Sequence, residues 1–306
     1  MDKMNQYEIN PKRILSRIGL GLFLMTAAII VANFAIDFSV HRFLPSIWSS
    51  DWYAWAVTAI SVIGVALPVL VISLRNLPSV ERGEVVKLSF TQFIVIFFIC
   101  VAAMYLTNYI GVIINFYIAT VKGEDIINPA ADAVMNSNYI ITFLYGALVA
   151  PIAEEVIFRK VLLDKLRPFG DLPACLLTGF AFGLFHMNLA QFFYASALGM
   201  IFAYITIKTN TIRYSILLHI IINTIGISAS PLAKNVKENL GLIMLMGVWV
   251  IVAITLGILF FALNVKKIKF LKGITPLEKK SDYFLNYGTI LYVIICLIMT
   301  VRVILL

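Results

Sequence analysis

Apolar residues gather into nine blocks of roughly 20 positions, separated by short polar and basic segments. About 20 helical residues cross a hydrocarbon layer about 30 Å thick, so each block predicts a spanning helix. The spans fall near 15–36, 53–74, 88–110, 138–163, 173–187, 188–207, 214–229, 240–265 and 283–306. None shows the alternation over about ten residues that a membrane β-strand requires. The predicted fold class is all-α: a polytopic transmembrane helix bundle of eight or nine spans. Two stretches depart from a simple count. The run Leu88–Thr120 exceeds one crossing, and Asn108, Gly111 and Asn115 predict either a helix projecting past the bilayer or a break in it. The segment 121–138, with Glu124, Asp125, Pro129 and Asp132, reads as an outside loop containing some helix.

Composition excludes a soluble monomer: of 306 residues, 61% are hydrophobic and 13% charged, against about half and about a quarter in soluble domains. With a cytoplasmic N-terminus, 19 of the 24 Lys and Arg residues fall on inside segments, the asymmetry that sets membrane orientation. The five on outside segments are Arg42, Lys122, Lys234, Lys237 and Arg302. The net charge of +8 therefore needs no nucleic acid as partner, since it lies beside the anionic inner leaflet. Membrane lipids are the partner it implies. Lys3, Lys12, Arg13 and Arg17 precede an apolar run too long for a secretory signal, which predicts a retained first span. Trp48, Trp52, Tyr53 and Trp55 read as an interfacial belt, and Cys100, Cys175 and Cys296 as core residues. His41 reads as a solvated loop residue. The chain divides into N-terminal helices and an outside loop (1–137), a chemistry-bearing core (138–230) and C-terminal helices with a basic inside loop (231–306). That loop, 266–282 with Gly273 and Pro276, is the best boundary, and it precedes a last helix expected to be peripheral.

Fourteen of the sixteen acidic residues lie in loops or at span ends; Glu154 and Glu155 do not. An ionisable group at mid-bilayer costs about 2.5–3.5 kcal/mol on insertion scales, so such a pair persists where it is matched or works. Arg159, one turn after Glu155, offers the match. Glu154, rotated by about 100°, faces elsewhere. Phe182 and His186 share one helical face, and His219 and Asn223 another. At about 1.5 Å per residue, Glu154, His186 and Asn223 lie about 15–20 Å from the inside ends of their spans. A carboxylate, two imidazoles and a carboxamide can thus meet in one buried pocket. The bland readings are an ion pair that fixes register, satisfied core histidines, Asn223 as interhelical glue and Phe182 as packing. Depth matching on three helices favours a site. Pro151 and Pro68 predict kinks, and Ala195, Gly199, Ala203, Gly179 and Gly183 predict close helix packing.

These residues spell E-E-x-x-x-R (Glu154–Arg159), F-x-x-x-H (Phe182–His186) and H-x-x-x-N (His219–Asn223), in that order on successive spans. Over about 138–227 the chain resembles the CAAX-protease and bacteriocin-processing (CPBP, or Abi) family of intramembrane endopeptidases. The resemblance implies that Glu154 activates a water that His186 helps to hold. It implies that Glu155 supports the site, held by Arg159, and that His219 and Asn223 stabilise the oxyanion. The implied substrate is a peptide, either prenylated at a CAAX-type tail or a leader, pheromone or bacteriocin precursor. The implied location is the cell membrane, with the composition leaning to a bacterial plasma membrane. No cofactor is favoured. Zinc is the alternative, held by Glu154, His186 and His219 with water in the fourth position. H-E-x-x-H is absent, however, and Glu154 as a ligand would leave the site needing another base. Two other classes compete: a catalytically silent immunity or regulatory scaffold, which intact motifs argue against, and a proton-coupled transporter, whose paired repeats are not found.

Overall fold

A computed structural model describes residues 10–126, 128–229, 231, 237–275, 277 and 279–305; Lys3, Lys234 and Pro276 lie outside them. Nine principal helices follow the nine apolar blocks. They are α1 (Pro11–Phe43), α2 (Tyr53–Leu74), α3 (Phe90–Lys122), α4 (Tyr139–Phe169), α5 (Asp171–Phe185), α6 (Leu189–Thr209), α7 (Arg213–Ala229), α8 (Leu240–Asn264) and α9 (Tyr287–Leu305). Seven are long and apolar enough to span a membrane, while α5 and α7 are shorter, with 15 and 17 residues. The protein is a multi-pass membrane protein. Among the described residues there is no strand, only an isolated bridge between Gly170 and Lys272.

Helix ends follow local chemistry. α1 runs seven residues past its predicted end, because nothing opposes the helix before Pro45. Two polar residues therefore lie on helix rather than in a loop. Asp37 accepts a hydrogen bond from Tyr53 Oη at 2.7 Å, and His41 packs edge-on against Trp48 with ring centroids 4.8 Å apart. α3 opens with a Ser89–Gln92 capping box and ends at Gly123, whose φ of 77° suits glycine. Its 33 residues are unbroken and reach about 50 Å, which decides for a helix projecting past the bilayer. The following segment carries a short helix, Pro129–Asn136, capped by Asn128.

The last helix sits at the rim, as the sequence leads one to expect, with 17% of its most apolar stretch buried, but one narrow face of it reaches the core. Tyr292 of α9 is buried and donates from Oη to Ala181 O of α5 at 2.7 Å, and Cys296 is buried in the same core. Close approach to α1 makes this possible, since a Cβ on Gly19 would stand 2.3 Å from Thr289 N. α8 is peripheral as well, with 11% of its most apolar stretch buried. All three cysteines are buried and unpaired.

Two helices widen near their prolines. In α2 the turns at Ile60–Ala66 are π-helical, just before Pro68. In α4 two π-helical stretches, Leu144–Val149 and Val156–Leu162, flank Ala150–Glu155. Pro151 has no N–H to give and its ring crowds the carbonyl four residues back, so the preceding turn opens to i→i+5 bonding. α5 and α6 pack closely along the small residues: a Cβ on Gly199 would lie 2.8 Å from Gly179 Cα.

The connection between α2 and α3 is stitched beneath α4 and the α6–α7 turn. Arg82 Nε donates to both Asp164 oxygens at 3.1 Å, and its Nη2 donates to Arg159 O. Lys165 Nζ reaches Leu77 O at 2.7 Å, and Leu88 N reaches Tyr214 Oη at 2.9 Å. The basic segment after α8 is strapped across the α4–α5 junction: Asp171 N donates to Leu271 O and Thr275 N to Pro168 O, both at 3.0 Å. These ties fix the ends of the helices that carry the polar cluster.

Candidate active site

Every polar residue singled out in the sequence comes from α4, α5 or α7, with α6 as the wall between them. Glu155 and Arg159 are fully buried and form an ion pair at 2.9 Å across one turn of α4. A buried guanidinium is tolerable only when its charge and donors are matched. Arg159 Nη2 also donates to Gly199 O at 3.2 Å, and the guanidinium lies 4.5 Å from the Phe182 ring centre and 5.4 Å from that of Phe202. Small residues on α6 expose that carbonyl to Arg159. Phe182 is therefore more than filler: it packs on the guanidinium and edge-on against both imidazoles, with ring centres 4.9 Å from His186 and 5.8 Å from His219.

His219 spans the two glutamates. Its Nδ1 lies 3.0 Å from Glu155 Oε1 and its Nε2 lies 3.6 Å from Glu154 Oε2. Two carboxylates that diverge by about 100° on one helix are thus reached by opposite edges of one ring. Glu155 can only accept when ionised, so Nδ1 carries a proton. Glu154 faces Nε2 from just beyond direct hydrogen-bond distance. Glu154 keeps 17% of its side chain exposed while Glu155 has none, so Glu154 alone of the pair can meet water.

His186 ends α5. Its Nδ1 lies 2.8 Å from Phe182 O, an acceptor, so that nitrogen is the donor and caps one of the helix's last free carbonyls. Among the described residues its Nε2 edge has no hydrogen-bond partner, and the residue lies within electrostatic reach of Glu154 and His219. The chain turns sharply at Met187, where φ is 47°. Asn223 donates from Nδ2 to Gly146 O at 2.9 Å, inside the first π-helical stretch of α4. One of its two N–H groups is thereby spent on holding α7 to α4, and the other remains available. Gly146 leaves room there for Ile227, whose Cδ1 would stand 2.8 Å from a Cβ at that position.

Four further residues belong to the site and were not flagged by sequence. Ser215 lies beside the Glu155 carboxylate, and its Oγ is 3.3 Å from Thr206 Oγ1. Tyr145 and Tyr194 lie within electrostatic reach of Glu154, and Tyr194 Oη accepts from Gln191 Nε2 at 3.0 Å. Phe202 packs on His219 at 5.5 Å. No spacing rule could have found the tyrosines: Tyr145 lies in a π-helical stretch that shifts the register of α4, and Tyr194 comes from α6, which carries no motif residue. Ser215 lies four residues before His219, one turn away, and that signal was readable.

The donors named for zinc are of the right kind, two imidazoles and a carboxylate. Among the described residues, however, no three His, Cys, Asp or Glu side chains stand close enough to hold an ion, so the residues as placed do not fit one.

Comparison with known proteins agrees with the motifs. Residues 136–225 match the family described as "Type II CAAX prenyl endopeptidase Rce1-like". The chain is also similar to "Putative membrane peptidase YdiL" of Bacillus subtilis (strain 168), 32% identical over 82 residues, which cover 26% of this chain and 34% of that protein. The match thus spans about a third of the relative's length. No solved structure matches the chain.

Proposed function

We propose, from a chain whose residues 136–225 match the Rce1-like family, that this protein is an intramembrane endopeptidase of the CAAX type, hydrolysing one peptide bond at the Glu154–His219 cluster. The observation that carries the reading is His219 bridging both glutamates, with Glu155 sealed and matched and Glu154 still open to water. Glu155 and Arg159 hold the imidazole; Glu154 is the base. Glu154 takes a proton from a water that His186 Nε2 helps to orient, as the water oxygen bonds to the peptide carbonyl carbon. The carbonyl π electrons move to oxygen, where His219 Nε2–H and the free Asn223 N–H stabilise the charge. The tetrahedral intermediate then expels the amine, the C–N bond breaks, and protonated Glu154 returns its proton to the leaving nitrogen. Positioned acid–base transfer contributes about 10²–10⁴ in rate, and preorganised oxyanion donors about 10²–10³.

The substrate in this reading is a peptide with an apolar or lipidated end, either a prenylated CAAX-type tail or a leader or bacteriocin-type precursor. The membrane is the plasma membrane of a bacterium, with the basic loops inside. The test compares peptides from cell membranes carrying the protein with those carrying Glu154→Gln at equal abundance, alongside cleavage of a farnesylated peptide panel by the purified proteins. Peptides cut by the protein and intact with the variant support the reading. Equal cutting by both removes Glu154 from the chemistry. Activity after chelation, read with metal content, decides between the glutamate mechanism and a metal-assisted one.

A further inference from the structure

A second cavity lies on the far side of α6 from the catalytic cluster. It is a groove open on one side, of about 920 Å³, between α3, α5, α6 and α8, within the range of about 300–1,000 Å³ for ligand sites. On α6, Phe202 and Gly199 face Arg159, while Met200, Ile201 and Tyr204 line this cavity. Along α3 the lining runs from Thr91 to Leu106, about 22 Å of helix, so the cavity extends along the bundle as an extended hydrocarbon chain does. Its walls are almost entirely aliphatic and aromatic. The polar residues collect at one end: Thr91 and Gln92 in the first turn of α3, Lys208 and Thr209 at the end of α6, and Asn264 and Lys267 at the end of α8.

The charge at that mouth is cationic. Lys208 is matched by Asp171, Nζ to Oδ2 at 2.9 Å, and Asp171 also accepts from Leu271 N at 3.0 Å. Lys267 contacts only a neutral group, Asn264 Oδ1, at 2.9 Å, and Lys266, Lys269 and Lys272 follow in the same segment. The N-terminal turn of a 33-residue helix adds its positive end. An apolar slot with a basic rim is complementary to one kind of occupant in a bilayer.

We propose that this cavity is a binding site for an anionic phospholipid, its acyl chain lying between α3, α6 and α8 and its phosphate at Lys267. The site is separate from the catalytic cluster and does not depend on the peptidase reading. The full-length protein is placed in phosphatidylcholine nanodiscs doped with phosphatidylglycerol bearing a photoreactive acyl chain, or with phosphatidylcholine bearing the same chain. Labelled residues are mapped by mass spectrometry. Phosphatidylglycerol should label Met200, Ile201, Ile258 and Phe261 several-fold more than phosphatidylcholine does. Lys267→Gln should lower that label about fivefold, the effect of one basic residue at an anionic lipid, and leave the phosphatidylcholine label unchanged. Ala103→Phe should remove the cavity label from both probes; if that variant does not fold, the Lys267→Gln comparison decides. Equal labelling by the two lipids, or labelling confined to the outward residues Val248 and Ile251 of α8, overturns the proposal. So does displacement of the label by a farnesylated peptide, which would make the cavity a seat for a substrate's tail.

Discussion

α6 and α8 are both apolar helices long enough to span, yet they belong to different kinds of structure. Half of the most apolar stretch of α6 is buried inside the protein, against 11% for α8. α6 meets α5 through glycines and receives the Arg159 guanidinium on a backbone carbonyl. α8 meets α3 at Gly257, where a Cβ would stand 2.3 Å from Phe98 O, and through Trp249 and Phe260 against the Phe98 ring, while Met244, Leu245, Val248 and Ile251 face outward. Lipid is as apolar as leucine, so apolar content cannot tell the two helices apart. What separates them is the small residues that permit close contact and the polar groups that need partners. The helices of the polar cluster are specified by their few costly side chains, and α8 by almost none.

The largest expected effect tests the costly side. Glu154→Gln keeps the size and the contact with His219 but cannot take a proton. Cleavage should fall by about 10²–10⁴ while thermal unfolding in detergent stays near that of the parent. Glu155→Gln should behave differently, because it leaves the Arg159 charge buried without its partner. Breaking a buried pair costs about 3–5 kcal/mol, so this variant should lose stability and activity together. Equal unfolding temperatures for the two variants would mean that the adjacent glutamates do not divide their roles as the geometry divides them. Asn223→Ala removes one oxyanion donor and the tie to Gly146. It should lower kcat by about 10²–10³ with KM little changed, read from initial rates on any peptide the parent cuts.

The same contrast explains what was legible in the sequence. All nine helices were readable, since period and length are set by the bilayer. Glu154, Glu155, Arg159, His186, His219 and Asn223 were readable because a polar residue in such helices is rare enough to be informative. Matched depth anticipated that Glu154, Glu155 and His219 would meet. The bridging of two divergent carboxylates by His219 was not readable, because it depends on the π-helical turns around Pro151. The close approach of α9 to α1 was not readable either: Gly19 against Thr289 is a contact between two helices far apart in sequence, with no motif to mark it. Ties such as Arg82 to Asp164, or Asp171 to the loop after α8, join segments that look like ordinary solvated loops.

Packing variants sharpen the comparison at smaller scale. Gly179→Ala places a methyl against the α6 backbone, 2.7 Å from Met200 N. Backbone cannot yield as a side chain can, so a cost of about 1–3 kcal/mol is expected, with some loss of activity as Gly199 O moves away from Arg159. The counterpart on α8 is Val248→Ala, at a position 59% exposed. Removing two methyl groups that face outward creates no cavity and leaves no polar group unmatched, so the change should stay within about 0.5 kcal/mol and leave cleavage unaltered. Both are read from the same unfolding curves and rates. If Val248→Ala destabilised as much as Gly179→Ala, the outer face of α8 would be packed against something, a second copy of the chain or a partner helix. The division between a tightly specified core and a loosely specified rim would then have to be redrawn around that contact.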